Sequence, residues 1–506
     1  MRAPLSLLLL LFLTQASAAP PHAGVRARVD AWTASHHRQI AAELGDLLLI
    51  PNIAADRASI LRNVAFLEKA FAARGFTTRR LETTGNPLFF AERRTPGATK
   101  TTLIYAHVDG QPVDAAAWKQ EDPFTPFMRT GRIEQGGAAV DGWRARDRLE
   151  DDWRLFARSA SDDKGPIVAT LVALDALAAS GLQPSTHLKI IIDTEEEASS
   201  PSLVPAVQQH RALLAADMML IFDGPIHSSG RPTLAFGARG IVTATLTVYG
   251  PKSGVHSGNY GNWVPNPALR MTHLLASMKD DEGRVTVEGF ADAPAPLTAE
   301  ERALLAGVPD DSADLMRVFG IAGPERAGRS LQESLQEPTL NIRGLSSAHV
   351  GAGARTIIPD RAIAAIDVRL VKETPGGVLM AKLADHIRRQ GFHLVDGEPS
   401  DAVRAAHSRI ARLQVGGITP AFRTSPLLPE SRALAAAMEA AFGAPPVRIR
   451  TLGGTVPIAP FVEALNVPAI LVPIVNFDNN QHEENENLRM GHLFKGISIL
   501  AIALTR

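Results

Sequence analysis

His107 and Asp109 are the first residues whose types and spacing could do chemistry; they stand one residue apart just after the apolar run Thr102–Tyr105. In extended backbone they project to the same side, so the carboxylate can set the imidazole tautomer or join it around a metal ion. Asp162 and Asp163 follow in Ser161-Asp162-Asp163-Lys164-Gly165, at the start of a helical stretch where acidic residues also serve as ordinary caps. Glu195, Glu196 and Glu197 leave the apolar run Leu188–Ile192 together. Carboxylates this close cannot all stay ionised cheaply and need a cation, a shared proton or open water. Asp223 ends the run Met218–Phe222, and His482 sits in the polar stretch Asn479–Glu486. Taken singly, each of these is also an unremarkable turn, cap or loop residue. Together, His107, Asp162, Glu197, Asp223 and His482 all fall at or beyond the C-terminal end of a predicted strand, the edge on which α/β sites are built. Such a set suits two zinc-like ions, each with nitrogen and oxygen ligands and one carboxylate shared.

The elements that must position these residues alternate. Helical periodicity covers 26–48 and 57–74; extended runs follow at 76–81, 88–92 and 102–105. Helix 165–180, strand 188–193, helix 203–215 and strand 218–222 come next. This is the pattern of an α/β layer with a largely parallel sheet. Texture changes near 238: residues 241–249 alternate as a half-buried strand, helix 266–278 follows, and a Pro-, Ala- and acid-rich region, either a helical insertion or a mobile loop, runs to about 338. Strand 363–371 and helix 376–390 complete a separate α+β unit. Helix–strand alternation resumes from 423, with helix 430–442, strand 446–450, helix 457–465, strand 468–474 and helix 491–504. The predicted architecture is therefore one α/β domain, 19–237 and 423–506, interrupted by an inserted domain, 238–422.

Composition bounds the partners. The chain has 506 residues, with 52 Lys+Arg against 53 Asp+Glu, so nothing global points to nucleic acid or an anionic membrane. It contains no cysteine, which excludes disulfides and leaves any transition metal to His and carboxylates. Met1-Arg2, the apolar run Leu5–Leu13 and Ala16-Ser17-Ala18 read as a secretory signal over 1–18, cut after Ala18. That run falls short of the ~20 residues a membrane span needs. The expectation is an exported protein, periplasmic in a Gram-negative source, with no membrane span.

The chain resembles the dinuclear-zinc exopeptidases and aminoacylases of peptidase family M20, closest to the carnosine-type dipeptidases. The resemblance rests on His107-Val108-Asp109-Gly110-Gln111-Pro112-Val113-Asp114, Trp118, Asp122-Pro123-Phe124-Thr125-Pro126 and Ser161-Asp162-Asp163-Lys164-Gly165. Glu196-Glu197, His256-Ser257-Gly258, Gly453-Gly454-Thr455-Val456-Pro457 and His482 support it, and it spans nearly the whole mature chain. It implies a catalytic domain with a mainly parallel sheet and an inserted lid and dimerisation domain. Asp162 would bridge two divalent ions, most simply zinc with manganese or cobalt as alternatives. His107 and Asp223 would complete one site, Glu197 and His482 the other. Asp109 would orient His107, and Glu196 would be the general base on the water between the metals. The triplet also permits Glu195-Glu196 as base and ligand; the alignment favours Glu196-Glu197, with Glu195 turned to solvent. His256 would reach the partner subunit's active site in a homodimer and donate to the oxyanion. Arg369 would grip the carboxylate of a small peptide substrate, beside the backbone of Gly453, Gly454 and Thr455.

Ser159 and Ser199 stand where the family often has glycine, which implies negative φ at both. Asp223, where the family's deacylases tend to have Glu, favours dipeptide hydrolysis. An N-acyl-amino-acid amidohydrolase or glutamate-type carboxypeptidase is the enzyme alternative. A catalytically inactive peptide-binding protein is the other, although no ligand or base position is lost.

Overall fold

A computed structural model describes residues 21–506 except 293, 295, 310, 327 and 328, so the secretory signal read over 1–18 lies outside the described residues. Eight strands form the main sheet, in the order Thr77–Leu81, Leu88–Arg93, His187–Asp193, Thr101–His107, Met218–Ile221, Ala469–Leu471, Thr233–Ala235 and Val447–Ile449. The four central strands, from 187–193 to 469–471, run parallel, and the first two pair antiparallel at one edge. Their near-continuous apolar runs follow from burial on both faces. Helix Lys164–Ala179 packs on one face against helix Met490–Thr505, with Leu171, Ile190, Leu220 and Ile497 in one core. On the other face helices Leu203–Leu214 and Ala459–Leu465 cover Tyr105, Ile191 and Ile221.

A five-stranded sheet carries the inserted unit, in the order Thr339–Ser346, Arg361–Leu370, Gly240–Tyr249, Ile410–Thr419 and His393–Leu394. Val242, Ala244, Leu246 and Val248 face its core under helices Pro267–Ala276 and Gly376–Arg389, as the period-2 pattern requires. The chain enters and leaves this unit side by side, since Gly237–Ala238 pairs antiparallel with Phe422–Arg423. The chain is thus α/β with a mostly parallel central sheet and an inserted second sheet. No helix among the described residues is long and apolar enough to cross a membrane.

Two departures from the sequence reading, and the helical outcome of the region it left open before 338, have local causes. The single helix expected over 26–48 is two, Pro21–Ala34 and His37–Leu48. Ser35 Oγ donates to the Trp32 carbonyl at 2.8 Å and His36 stacks on the Trp32 ring at 3.9 Å, competing with helix continuation. The acid-rich region before 338 holds helices Ala299–Ala306, Ser312–Phe319 and Leu331–Ser334; Thr298/Glu301 and Ser330/Glu333 form capping boxes for the first and last. Strands Phe127–Arg129, Arg154–Phe156 and Asn487–Arg489 make a small separate sheet, each too short to show a period.

Candidate metal centre

The parallel strands end side by side, and His107, Asp193 and Phe222 mark that edge. His107 is fully buried, with Nε2 2.9 Å from Asp162 Oδ1. The other Asp162 oxygen lies 3.1 Å from His482 Nε2, which is itself 3.4 Å from Glu197 Oε2. One carboxylate therefore stands between two histidines from opposite ends of the chain. Two groups have ligand atoms close enough to hold a cation: His107, Asp162 and Asp223, and Asp162, Glu197 and His482.

Electrostatics agree with that reading. Burial works against a charged His107, but Glu196, Asp109 and Asp162 outweigh it and hold its pKa well above the ordinary value. Asp162 is lowered: the hydrogen bonds from His107 and His482 overcome its desolvation. Desolvation, reinforced by Asp162, pushes Glu197 up to about 7 and Asp223 up to about 6. Glu196 is also raised, by burial first. His482 rises to about 9, chiefly through its bond to Asp162. Desolvated carboxylates with only two imidazoles for neutralisation make a nitrogen-and-oxygen donor set that divalent cations fit.

The glutamate turn owes its register to two buried carboxylates. Asp193 Oδ1 accepts the N–H groups of Thr194 and Glu195 at 2.7 and 3.0 Å, while Asp109 accepts those of Glu196 and Glu197, both at 3.0 Å. Asp109 thus does more than the sequence suggested: its Oδ1 is 3.5 Å from His107 Nδ1, and its backbone carbonyl is nearer that nitrogen, at 3.1 Å. Glu195 is not turned to solvent. Its carboxylate accepts Asn86 N at 3.2 Å and Ser202 Oγ at 2.7 Å, fastening the turn to a neighbouring loop. Gln111 donates to Glu197 at 2.6 Å.

The expectation of negative φ at the two serines is also corrected, since Ser159 has φ 63° and Ser199 φ 72°. Left-handed backbone costs a non-glycine residue roughly 1–2 kcal/mol, so surrounding bonds must impose it. At Ser159 they are visible: its N–H donates to Glu486 at 2.9 Å and its Oγ accepts from Asn52 at 2.8 Å.

Glu486 is a site residue that sequence reasoning missed. Fully buried, it accepts from Ser159 N, Ser161 N, Ser161 Oγ and Asp162 N at 2.8–2.9 Å, and from Arg158 Nη1 at 2.9 Å. One carboxylate binds the loop bearing Asp162 to the loop bearing His482. Arg369 and Thr455, read separately as substrate-binding residues, meet through a 2.6 Å Nη1–Oγ1 bond between the inserted and catalytic units. Gly453 is half-buried and Gly454 exposed beside them. His256, in contrast, is exposed on the inserted unit; its ring accepts Gly258 N at 3.1 Å and lies 3.3 Å from Thr356 Oγ1. The fold of one chain does not bring it among the ligand residues.

Imidazole and carboxylate groups gathered on the C-terminal edge of a parallel sheet, beside an inserted second sheet, define an α/β protein with a candidate divalent-metal centre. The description Peptidase family M20/M25/M40 matches residues 103–506; the chain belongs to this family and is a metallopeptidase. It is similar to a Cys-Gly metallodipeptidase of Schizosaccharomyces pombe, 25% identical over 418 residues, covering 82% of this chain and 81% of that one. Human Beta-Ala-His dipeptidase is 26% identical over 425 residues, with 82% and 76% covered. Among solved structures, an M20 family metallo-carboxypeptidase from Sulfolobus solfataricus superposes with TM-score 0.71 at 27% identity, covering 92% of this chain and 98% of that one. Human carnosine dipeptidase 1 shares the fold, with TM-score 0.66 at 22% identity and coverage of 95% and 98%.

Proposed function

We propose that the chain is an exported, homodimeric dipeptidase that cleaves the peptide bond of short peptides with a free C-terminal carboxylate. The observation that carries this reading is the pair of ligand triads sharing Asp162, with Glu196 beside them. His107, Asp162 and Asp223 would hold one divalent ion and Asp162, Glu197 and His482 a second, with zinc the simplest occupant of this N/O set. When bound, such ions polarise a carbonyl and lower the pKa of water. Glu196 would take the water's proton and deliver it to the leaving amine, a role that suits a carboxylate whose backbone N–H is pinned to Asp109. Asp162, Glu486 and Asp109 keep the two histidines and the glutamate turn in register. Arg369, oriented by Thr455, offers a guanidinium fork to the substrate's carboxylate.

Dimerisation is supported by two features of the inserted unit. His256 is exposed there, away from the ligands of its own chain. Strand 339–346 is an edge, and it carries Ile342 and Leu345 at 41% and 54% exposure. Export rests on the leader-like first residues alone.

The likeness to a solved metallo-carboxypeptidase at 27% identity favours a second reading, in which an N-acylated or longer peptide is trimmed. A panel of free dipeptides and their N-acylated counterparts, assayed with zinc, manganese or cobalt supplied in turn, separates the two. Cleavage of free dipeptides is expected; hydrolysis confined to the acylated set would replace the dipeptidase reading by the second one.

A further inference from the structure

The segment 299–337 belongs in sequence to the inserted unit, yet its side chains reach the catalytic domain. Val308 packs in the core beside Val447 and Ile449, Glu300 pairs with Arg432 at 2.6 Å, and Ser228 donates to Asp311 at 2.9 Å. Its firmest contacts fall on one loop. Strand Val447–Ile449 is the last of the main sheet, beside Thr233–Ala235; beyond it the backbone of Leu452 still bonds to Gly237 and Arg239, at 2.8 and 3.1 Å, while the side chains around it look to other partners. Arg450, the first residue of that loop, is 7% exposed, and a guanidinium so buried needs acceptors. They come from the segment. Arg450 Nη1 donates to Gln336 Oε1 at 2.6 Å, and its Nε and Nη2 donate to Glu301 Oε1 at 3.1 and 2.9 Å. Glu301 is itself held by the Thr298 capping box. Thr451 Oγ1 donates to the same Gln336 oxygen at 3.3 Å. Leu335 lies against Gly453, where an added Cβ would come within 3.1 Å of its Cδ2. The far end of the loop is bound to the inserted sheet through Thr455 and Arg369.

We infer that the stretches 299–306 and 331–337 form a tether that fixes the Arg450–Thr455 loop to the inserted unit, with Gln336, Arg450 and Glu301 as positioning residues for the substrate's carboxylate. This rests on the reading of Arg369 and Thr455 as the carboxylate grip and extends it. Gln336 acts through the loop: by accepting from Arg450 and Thr451 it holds the backbone that presents Thr455 to Arg369. Loosening it misplaces the grip without touching the metal ligands, so the loss falls on binding of a free carboxylate.

The test uses the full chain loaded with zinc, measuring KM for a dipeptide and the inhibition constant of the same dipeptide's C-terminal amide. Gln336→Leu is expected to raise KM about tenfold with kcat within about twofold, and to leave the amide constant and zinc content unchanged. Gln336→Glu, which still accepts both bonds, is expected to restore KM to within about threefold of the wild type. An unchanged KM in Gln336→Leu, or equal weakening of dipeptide and amide, would overturn the tether. Should that variant not fold, Glu301→Leu, which removes the other acceptor of Arg450, replaces it with the same expectations. Hydrogen exchange supplies the independent readout: faster exchange confined to residues 450–455 supports the tether, and unchanged exchange there refutes it. A wild type that binds amide and dipeptide equally would refute the carboxylate grip instead, leaving exchange to decide the tether alone.

Discussion

Glu196 and Glu197 differ by one position, and the structure gives them different surroundings. Glu197 shares a candidate ligand group with Asp162 and His482, while Glu196 falls outside both groups and is raised by burial, with His107 acting against that rise. Both amides are pinned by Asp109, so the turn cannot slip by a residue without losing two bonds to a buried carboxylate. Glu196→Gln is therefore expected to lower kcat by roughly 10²–10⁴-fold with metal content intact, and Glu197→Gln to lose metal; elemental analysis beside kinetics checks both. Metal loss in Glu196→Gln would show the register off by one. The sequence made this contrast legible by placing the triplet at a strand end, but not the fate of Glu195, which is drawn inward by the amide of Asn86, from a loop distant in sequence, as well as by the nearby Ser202. Glu486 was illegible for the same reason. It stands in one acidic run with Glu483 and Glu484, both exposed, and only the path of residues 158–162 makes it the buried acceptor.

The main elements follow from local pattern, because an apolar strand buried on both faces and an amphipathic helix announce their periods over several residues. Thr101–His107, His187–Asp193 and Gly240–Tyr249 were readable in this way. Strand 339–346 was not, since six of its eight residues are exposed and its pairing comes from strand 361–370. The C-terminal helix Met490–Thr505 carries its own pH prediction. His492 sits in its first turn, where burial first, then Arg489 and Lys495, lower its pKa from 6.5 to about 4. The positive end of the helix dipole acts in the same direction. With the folded value below the unfolded one, the unfolded chain takes up the proton first. The stabilisation from keeping this imidazole neutral is present above pH 6.5 and is lost as pH falls toward 4. Tm measured across that window is expected to fall less steeply in His492→Gln than in the wild type.

At the scale of the molecule, the exposed His256 is the residue that one chain leaves unexplained. If each active site takes His256 from the partner, a His256→Ala chain and a Glu196→Gln chain are both inactive alone. Mixing them equally and allowing exchange is then expected to recover about a quarter of wild-type activity, since half the dimers are hybrids with one complete site each. No recovery, with hybrids demonstrated by native mass spectrometry, would remove His256 from the partner's site. The sequence by itself determined the residue types at the ends of the central strands and the alternation that builds a parallel sheet with a second sheet inserted in it. Those are set by local chemistry and by periods of two and 3.6. Only the tertiary structure decided which carboxylate faces a histidine and which holds a backbone turn, that Glu486 joins two loops, and that Glu301 and Gln336 reach Arg450. Such contacts join residues far apart in the chain, 55 positions for His107 and Asp162 and 324 for Asp162 and Glu486, and no local pattern in either partner encodes where the other will lie.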